Sequence, residues 1–413
     1  MSSSANTQET LVGHFKEVYA NNIKDLRPDG VELYNMAKFI ENSKQGGNFY
    51  NQPITLGYEH GFSYNGTGGA VGTLEAAVAA PHANAQVIGS EIILSSYLSF
   101  AAASRSMGKN AFIQETKHIV SNMFKSFMLR LEIILMYGQS GIAIVESVSS
   151  NDITIEKEEW AAGIWAGAEG MPIEVRTSAG VKRGNTVVTA VNMATKTITV
   201  DGVPAGTVIT DVLYHKGAYG NESVGLHKIC SNQSASLFGV DASAYSLFQG
   251  NIVDVGTNFT GSEAVLSFAK VEEAIAKMQE KGLTKEEVVL LCNPQSWKNL
   301  LTELAAKRSF DQSYSSAKLD EGASEIVFHG PNGKIRIVST IFCKEGYAYI
   351  ICPRDFMRVG SSDVSFKQPG MDDKDMVKML ERASGYEFRA YSDQALFTAS
   401  PGKTAILRYI KSA

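Results

Sequence analysis

KNAFIQETKHIVSNMFKSFMLRLEIILMY, Lys109 to Tyr137, is the stretch on which the layout of the whole chain turns. It contains neither Gly nor Pro, and its apolar residues return at helical spacing. Phe112, Ile119, Met123, Phe127, Leu131 and Ile134 form one stripe, which Val120, Phe124, Met128 and Leu135 widen. Glu115, Asn122, Ser126 and Arg130 fall mostly on the other side. Such a helix is roughly 40 Å long, about the width of a small domain. A helix of that length serves as a spine with other elements laid across it. Lys125, Arg130 and Glu132 argue against a membrane span, because each would sit in hydrocarbon.

Working back from the spine, residues 46–105 show no packed core of their own. The segment GTGGAVG at Gly66–Gly72 lies near the middle, with Phe49, Tyr50, Tyr58, Phe62 and Tyr64 before it and small residues after it. This pattern predicts a long two-stranded excursion with a glycine-rich tip. A lone ribbon is marginal in water, so it needs a neighbour to lie on. From Gln45 to Gly108 there is no lysine and a single arginine, Arg105. Residues 11–45 carry two short amphipathic pieces separated by Arg27-Pro28-Asp29-Gly30. They form an arm whose apolar faces also lack a local partner.

Forward of the spine, Gly138 and Gly141 stop the helix and IAIVESV reads as a buried strand. Residues 151–222 then alternate short β runs with Gly, Asn and Asp turns, the pattern of a small barrel or sandwich, with Trp160 and Trp165 at its base. Phe268, Val271, Ile275 and Met278 mark the inward face of an amphipathic helix that Gly282 ends. A buried strand, VVLLC, follows. Asn293-Pro294 supplies a cap and first-turn proline for a helix over 294–307. Residues 308–324 form a polar loop. Paired strands come next, EIVFHG and KIRIVSTIF around Asn332-Gly333, then YAYIICPRDFMRV. YEFRAYSDQALFTAS and TAILRYI, joined at Pro401-Gly402, close the pattern.

With 44% hydrophobic residues over 413 positions, the chain can bury two or three cores. A formal net charge of −5 does not mark a general nucleic-acid binder. The four cysteines, Cys230, Cys292, Cys343 and Cys352, are scattered, as suits a reducing compartment. No secretory signal is visible. Gly402-Lys403-Thr404 resembles the tail of a phosphate-cradling loop, but Phe397 stands where the first glycine is required and a strand follows instead of a helix. The seven histidines are spread singly, without metal-ligand spacing. Nothing assembles a nucleophile, a base and an orienting group, so no catalytic residue, cofactor site or metal site is expected.

The order of parts resembles the major capsid proteins of tailed bacteriophages, the Hong Kong 97-type shell fold. The likeness covers roughly residues 11–145 and 223–410, and LLCNPQSWKNLL and FRAYSDQALFTASPGKTAIL carry it most clearly. It implies an α+β fold with an N-terminal arm (1–48), an extended β loop (49–105) and a peripheral domain with the spine helix (106–150). An inserted β subdomain (151–222), an axial domain (223–345) and C-terminal strands completing both domains (346–413) follow. It also implies a structural subunit that assembles into hexamers and pentamers around packaged double-stranded DNA, held without sequence-specific binding. The setting would be a virion assembled in the host cytoplasm, with no membrane. The implied contacts between copies fall at Phe15, Phe39, Tyr58, Phe62, Tyr64 and Arg105, and at Arg308, Phe310 and Tyr314 in the loop meeting at capsomer centres.

Two departures from the family pattern matter. Some relatives lock the shell by an isopeptide bond from a lysine in the extended loop. Gln45–Gly108 offers none, so locking is expected to be non-covalent or to use a separate cement protein. Some relatives begin with a long scaffolding segment that a protease removes. The arm here is short, so a separate scaffolding protein is expected, beside a portal. The competing readings are a nanocompartment shell, which shares the fold, and an enzyme whose site is not recognised.

Overall fold

The computed structural model describes residues 30–41, 49–68, 71–99, 109–308, 326–330, 333–366, 377–379 and 385–411. The spine is a single α-helix, Lys109–Tyr137, with the bounds its periodicity predicts. Met123, Phe127 and Leu131 are buried against Leu98, Phe388 and Ala390. Its last turns, Leu135 to Tyr137, enter the main core. Phe124 departs from the expected stripe and is 43% exposed. Gly138 stops the helix for a reason of packing as well as conformation. A Cβ there would sit 2.2 Å from the Ser223 carbonyl oxygen, and Gly225 N donates to Gly138 O at 3.0 Å. Two chain segments touch backbone to backbone at this point.

Two sheets flank the spine. In the first, Phe356–Ser365 lies between Lys38–Glu41, which it pairs with in parallel, and Gly385–Thr398, which is antiparallel to it. Ser90–Ser99 and Val377–Met379 also pair with Gly385–Thr398. The second sheet has six strands in the order Asn251–Asp254, Ala405–Arg408, Tyr347–Ile351, Val288–Cys292, Gly333–Ser339 and Ile326–Gly330. Val288–Cys292 is buried at every position, as a central strand must be. The helix Phe268–Glu280 covers this sheet with Phe268, Val271, Ile275 and Met278 inward.

Among the described residues, two short turns carry the chain directly from one sheet to the other. YAYIICPRDFMRV, read as one strand, is two: Tyr347–Ile351 in the second sheet and Phe356–Ser365 in the first. Pro353 opens a 3-10 turn between them, where its missing N–H cannot continue a ladder. Likewise Gly385–Thr398 and Ala405–Arg408 lie in different sheets, and the 3-10 turn Pro401–Lys403 carries the chain across.

The chain after the spine forms a closed six-stranded barrel, Ala143–Ser149, Asp152–Ile155, Pro172–Arg176, Lys182–Asn192, Thr197–Val200 and Val212–His215. The inserted subdomain therefore starts earlier than residue 151, because the strand after the spine is a stave of the barrel. Trp160 and Trp165 stack at 5.9 Å and are buried. The extended stretch is also shorter than its reading to residue 105. Ser90–Ser99 is a strand of the first sheet, leaving an excursion over 49–89 based on the antiparallel pair Tyr50–Thr55 and His82–Val87.

Asn293 caps the helix Pro294–Arg308, its Oδ1 accepting from Gln295 N at 2.9 Å while its Nδ2 donates to Cys343 O at 3.1 Å. Asn293→Ala removes both bonds and is expected to cost about 1–2 kcal/mol. Asn293→Asp keeps the cap and should cost less. Urea unfolding monitored by circular dichroism measures the difference.

Candidate assembly surface

Beyond its base, where Tyr50, Leu56, Ala85 and Val87 are buried in the main core, the excursion leaves its large apolar side chains uncovered. Leu56 N donates to Pro81 O and His60 N to Val78 O, so the two sides continue alongside each other beyond the paired strands. Tyr58 is 79% exposed, Phe62 66%, Tyr64 92% and Leu74 83%. An apolar patch of that kind in one segment marks a surface to be covered by something else. Tyr58, Phe62 and Tyr64, expected at contacts between copies, are exposed in the single chain.

The arm behaves differently. Residues 30–41, the part described, are anchored on their own chain. Lys38–Glu41 joins the first sheet, and the short helix Glu32–Met36 sits on the spine. Its N-cap, Val31, offers no side-chain bond. Glu132 of the spine takes that role: Oε1 accepts from Leu33 N and Oε2 from Tyr34 N, both at 2.8 Å. Burial pushes the Glu132 carboxyl up to about 7, and the two N–H bonds recover only part of that. Arg358 completes the anchor. It donates to Ala37 O, Asp363 and Gln394, and lies 3.7 Å from the Tyr34 ring centre. Tyr34 O–H donates to Asp363 at 2.7 Å.

Phe39, expected at a contact between copies, is half-buried, and the Arg358 guanidinium lies 5.6 Å from its ring centre. Arg308 ends the backbone of the helix Pro294–Arg308. Phe15, Arg105, Phe310 and Tyr314 fall outside the described residues.

Sequence reasoning missed the polar groups that fasten the parts together. Glu132 carried a signal, a lone carboxylate between Leu131 and Ile133 in the most apolar turns of the spine. Lys344 and Glu159 carried none. They meet, both buried, where barrel, spine and second sheet join. Lys344 Nζ lies 2.5 Å from Glu159 Oε2 and 3.1 Å from Gly141 O, and its charge stands 4.5 Å from the Tyr137 ring centre. Tyr347 O–H donates to Glu159 Oε1 at 2.9 Å.

The cysteines are engaged in packing. All four cysteines are buried, and burial pushes the thiols of Cys230 and Cys292 up to about 12. Among the described residues, Glu286, Cys352 and Asp355 form the one grouping with metal-ligand geometry. Lys403 supplies a cation there, 3.0 Å from Glu286 and 3.4 Å from Asp355. The lysine of the apparent phosphate-loop tail thus stitches the two crossings between the sheets.

Solved structures match the chain over nearly its whole length. The capsid asymmetric unit of cyanophage A-1(L) superposes with a TM-score of 0.62 at 12% identity, covering 98% of this chain and 99% of that one. The capsid of the native GTA particle gives 0.51 at 9% identity, covering 99% and 100%. The capsid of cyanophage P-SCSP1u gives 0.50 at 10%, covering 100% and 97%. The chain has the Hong Kong 97-type shell fold. No protein-family model and no curated protein matches the sequence. No helix among the described residues is long and apolar enough to cross a membrane.

Proposed function

We propose that this chain is the repeating subunit of an icosahedral phage head, a structural protein that closes around packaged double-stranded DNA. The observation that carries this reading is the excursion. Tyr58, Phe62, Tyr64, Val71, Leu74 and Val78 are each at least half exposed, on a loop with no core of its own. Covering about 100 Å² on each at ~25 cal/mol per Å² contributes on the order of 15 kcal/mol per copy, before the cost of ordering the loop. A neighbouring copy supplies such a cover at every position of a closed shell. The net charge of −5 suits a wall that encloses DNA without gripping it.

Locking is non-covalent or uses a cement protein, since Gln45–Gly108 contains no lysine. A separate scaffolding protein and a portal complete the assembly, which takes place in the host cytoplasm and ends in the virion. In this reading the second sheet belongs to the axial domain, which meets its counterparts at the capsomer centres.

Expression alone and electron microscopy test the proposal. The wild-type chain is expected as capsomers or closed particles. Deleting residues 60–72 should leave the subunit's melting temperature nearly unchanged and abolish ordered shells. A monodisperse wild-type monomer, or normal shells from the deletion, would overturn it.

A further inference from the structure

Two adjoining cavities, of about 430 and 710 Å³, open between the strand Ser90–Ser99, the spine and the turn that follows the last barrel strand. Five consecutive residues, Ser90–Leu94, line the smaller one. Among the described residues this strand pairs only with Gly385–Thr398, so its other edge is open and borders the cavity.

The opposite wall offers nitrogen donors, the Arg130 guanidinium and a His215 imidazole that burial and the Arg130 charge keep neutral. His215 is 4% exposed, and neither of its ring nitrogens has a hydrogen-bond partner. A buried polar side chain without a partner is rare and costs on the order of 1–3 kcal/mol. Arg130 lines the same cavity and makes no ion pair among the described residues. Glu222, also in the wall, acts on Arg130 only at longer range, and burial pushes its carboxyl up. Lys216 stands exposed at the rim. An open strand edge facing an unpaired guanidinium and an unpartnered imidazole has the features of a receptor for an extended peptide bearing a carboxylate.

We propose that this cavity receives the excursion of a second copy, with Arg130 and His215 holding a carboxylate of Glu59 or Glu75. The proposal rests on the shell reading above and names the polar anchor that sets where the loop docks. The choice of occupant comes from charge. Residues 49–99 contain no Lys, Arg or Asp, and their acids are Glu59, Glu75 and Glu91. Glu91 belongs to the cavity itself, which leaves Glu59 and Glu75, both exposed, beside the exposed Tyr58 and Leu74. An apolar segment whose charged groups are carboxylates matches an apolar wall, with Ile93 53% exposed, that carries the Arg130 charge and an unpartnered imidazole as hydrogen-bond donors.

Cysteine pairs in the assembling protein test this directly, because the four native thiols are buried. Lys216→Cys combined with Glu75→Cys, or with Glu59→Cys, should give oligomer ladders on a non-reducing gel of purified particles. The single variants should not. Arg130→Gln should slow assembly about tenfold, the loss of one modest anchor, with no change in the subunit's melting temperature. Intact particles that show no crosslink from either pair overturn the receptor assignment whatever Arg130→Gln does, as does wild-type assembly by Arg130→Gln. In both cases the shell reading stands; it falls if the wild-type chain forms no particles.

Discussion

Replacing Lys344 with methionine is expected to destabilise the subunit by about 3–5 kcal/mol, because it leaves a buried carboxylate without its cation. Glu159 would keep only the Tyr347 hydroxyl at 2.9 Å, in a site sealed between barrel, spine and second sheet. Methionine fills most of the lysine's volume, so the loss reports the charge and not a cavity. Double replacement, Lys344→Met with Glu159→Gln, removes the stranded charge and should recover most of the loss. A double-mutant cycle read by urea denaturation measures the coupling. The pH dependence gives a second check. Burial pushes Glu159 up, but in the wild type Lys344 more than offsets this and holds the carboxyl below its ordinary range. A carboxyl lowered by folding contributes stability above its unfolded pKa and loses it as pH falls. Without Lys344, burial outweighs what the Tyr347 hydroxyl recovers, the folded pKa rises above the unfolded one, and the sign reverses. The Lys344→Met variant should gain stability relative to wild type as pH falls. Parallel pH profiles for the two proteins would show that the pair does not act as a charged unit.

The elements of this fold were legible because each is long or sharply punctuated. Lys109–Tyr137 has eight turns of uninterrupted periodicity, and Asn293-Pro294 and Gly282 mark helix ends by their chemistry. The excursion was legible as an anomaly, aromatic residues on a stretch with no core to receive them. What the sequence concealed was membership. Ser90–Ser99 alternates like the ribbon before it, and only its register with Gly385–Thr398 assigns it to the sheet. Pro353 announced a break but not that the chain would change sheets there. The strand Ala143–Ser149 has the composition of any buried strand, and closure of the barrel is a long-range fact. The fastening groups were hidden for the same reason. Lys344 and Glu159 are 185 positions apart, and no local pattern links them. Glu132 stood out within its own turn, but its partners are backbone amides nearly a hundred residues earlier.

Those amides give the last expected result: raising the pH from 5 to 8 should loosen residues 30–41 from the spine. Glu132 is fully buried and caps the helix Glu32–Met36 through Leu33 N and Tyr34 N. Glu32 on the docked helix raises its pKa further; Arg358 and Asp363, on the neighbouring strand, hold Tyr34. With the arm docked the carboxyl titrates at about 7, against an ordinary value of 4.5 when the arm is away. A carboxyl raised by docking contributes stability that is fully present below the ordinary value and lost as pH rises through about 7. The difference corresponds to an upper bound on the order of 3 kcal/mol. Hydrogen exchange at Leu33 and Tyr34 should therefore show protection that falls between pH 5 and 8, after correction for the intrinsic rate. Glu132→Gln keeps a neutral acceptor and should flatten the profile. Glu132→Ala strands two amides, costs about 1–3 kcal/mol for each, and should expose the arm at every pH. Protection that rises with pH in the wild type, or an unaltered profile in Glu132→Gln, would show that the arm is held by Arg358 and the strand Lys38–Glu41 alone. A pH-dependent arm would make the carboxylate of Glu132 a control on how firmly the chain holds residues 30–41.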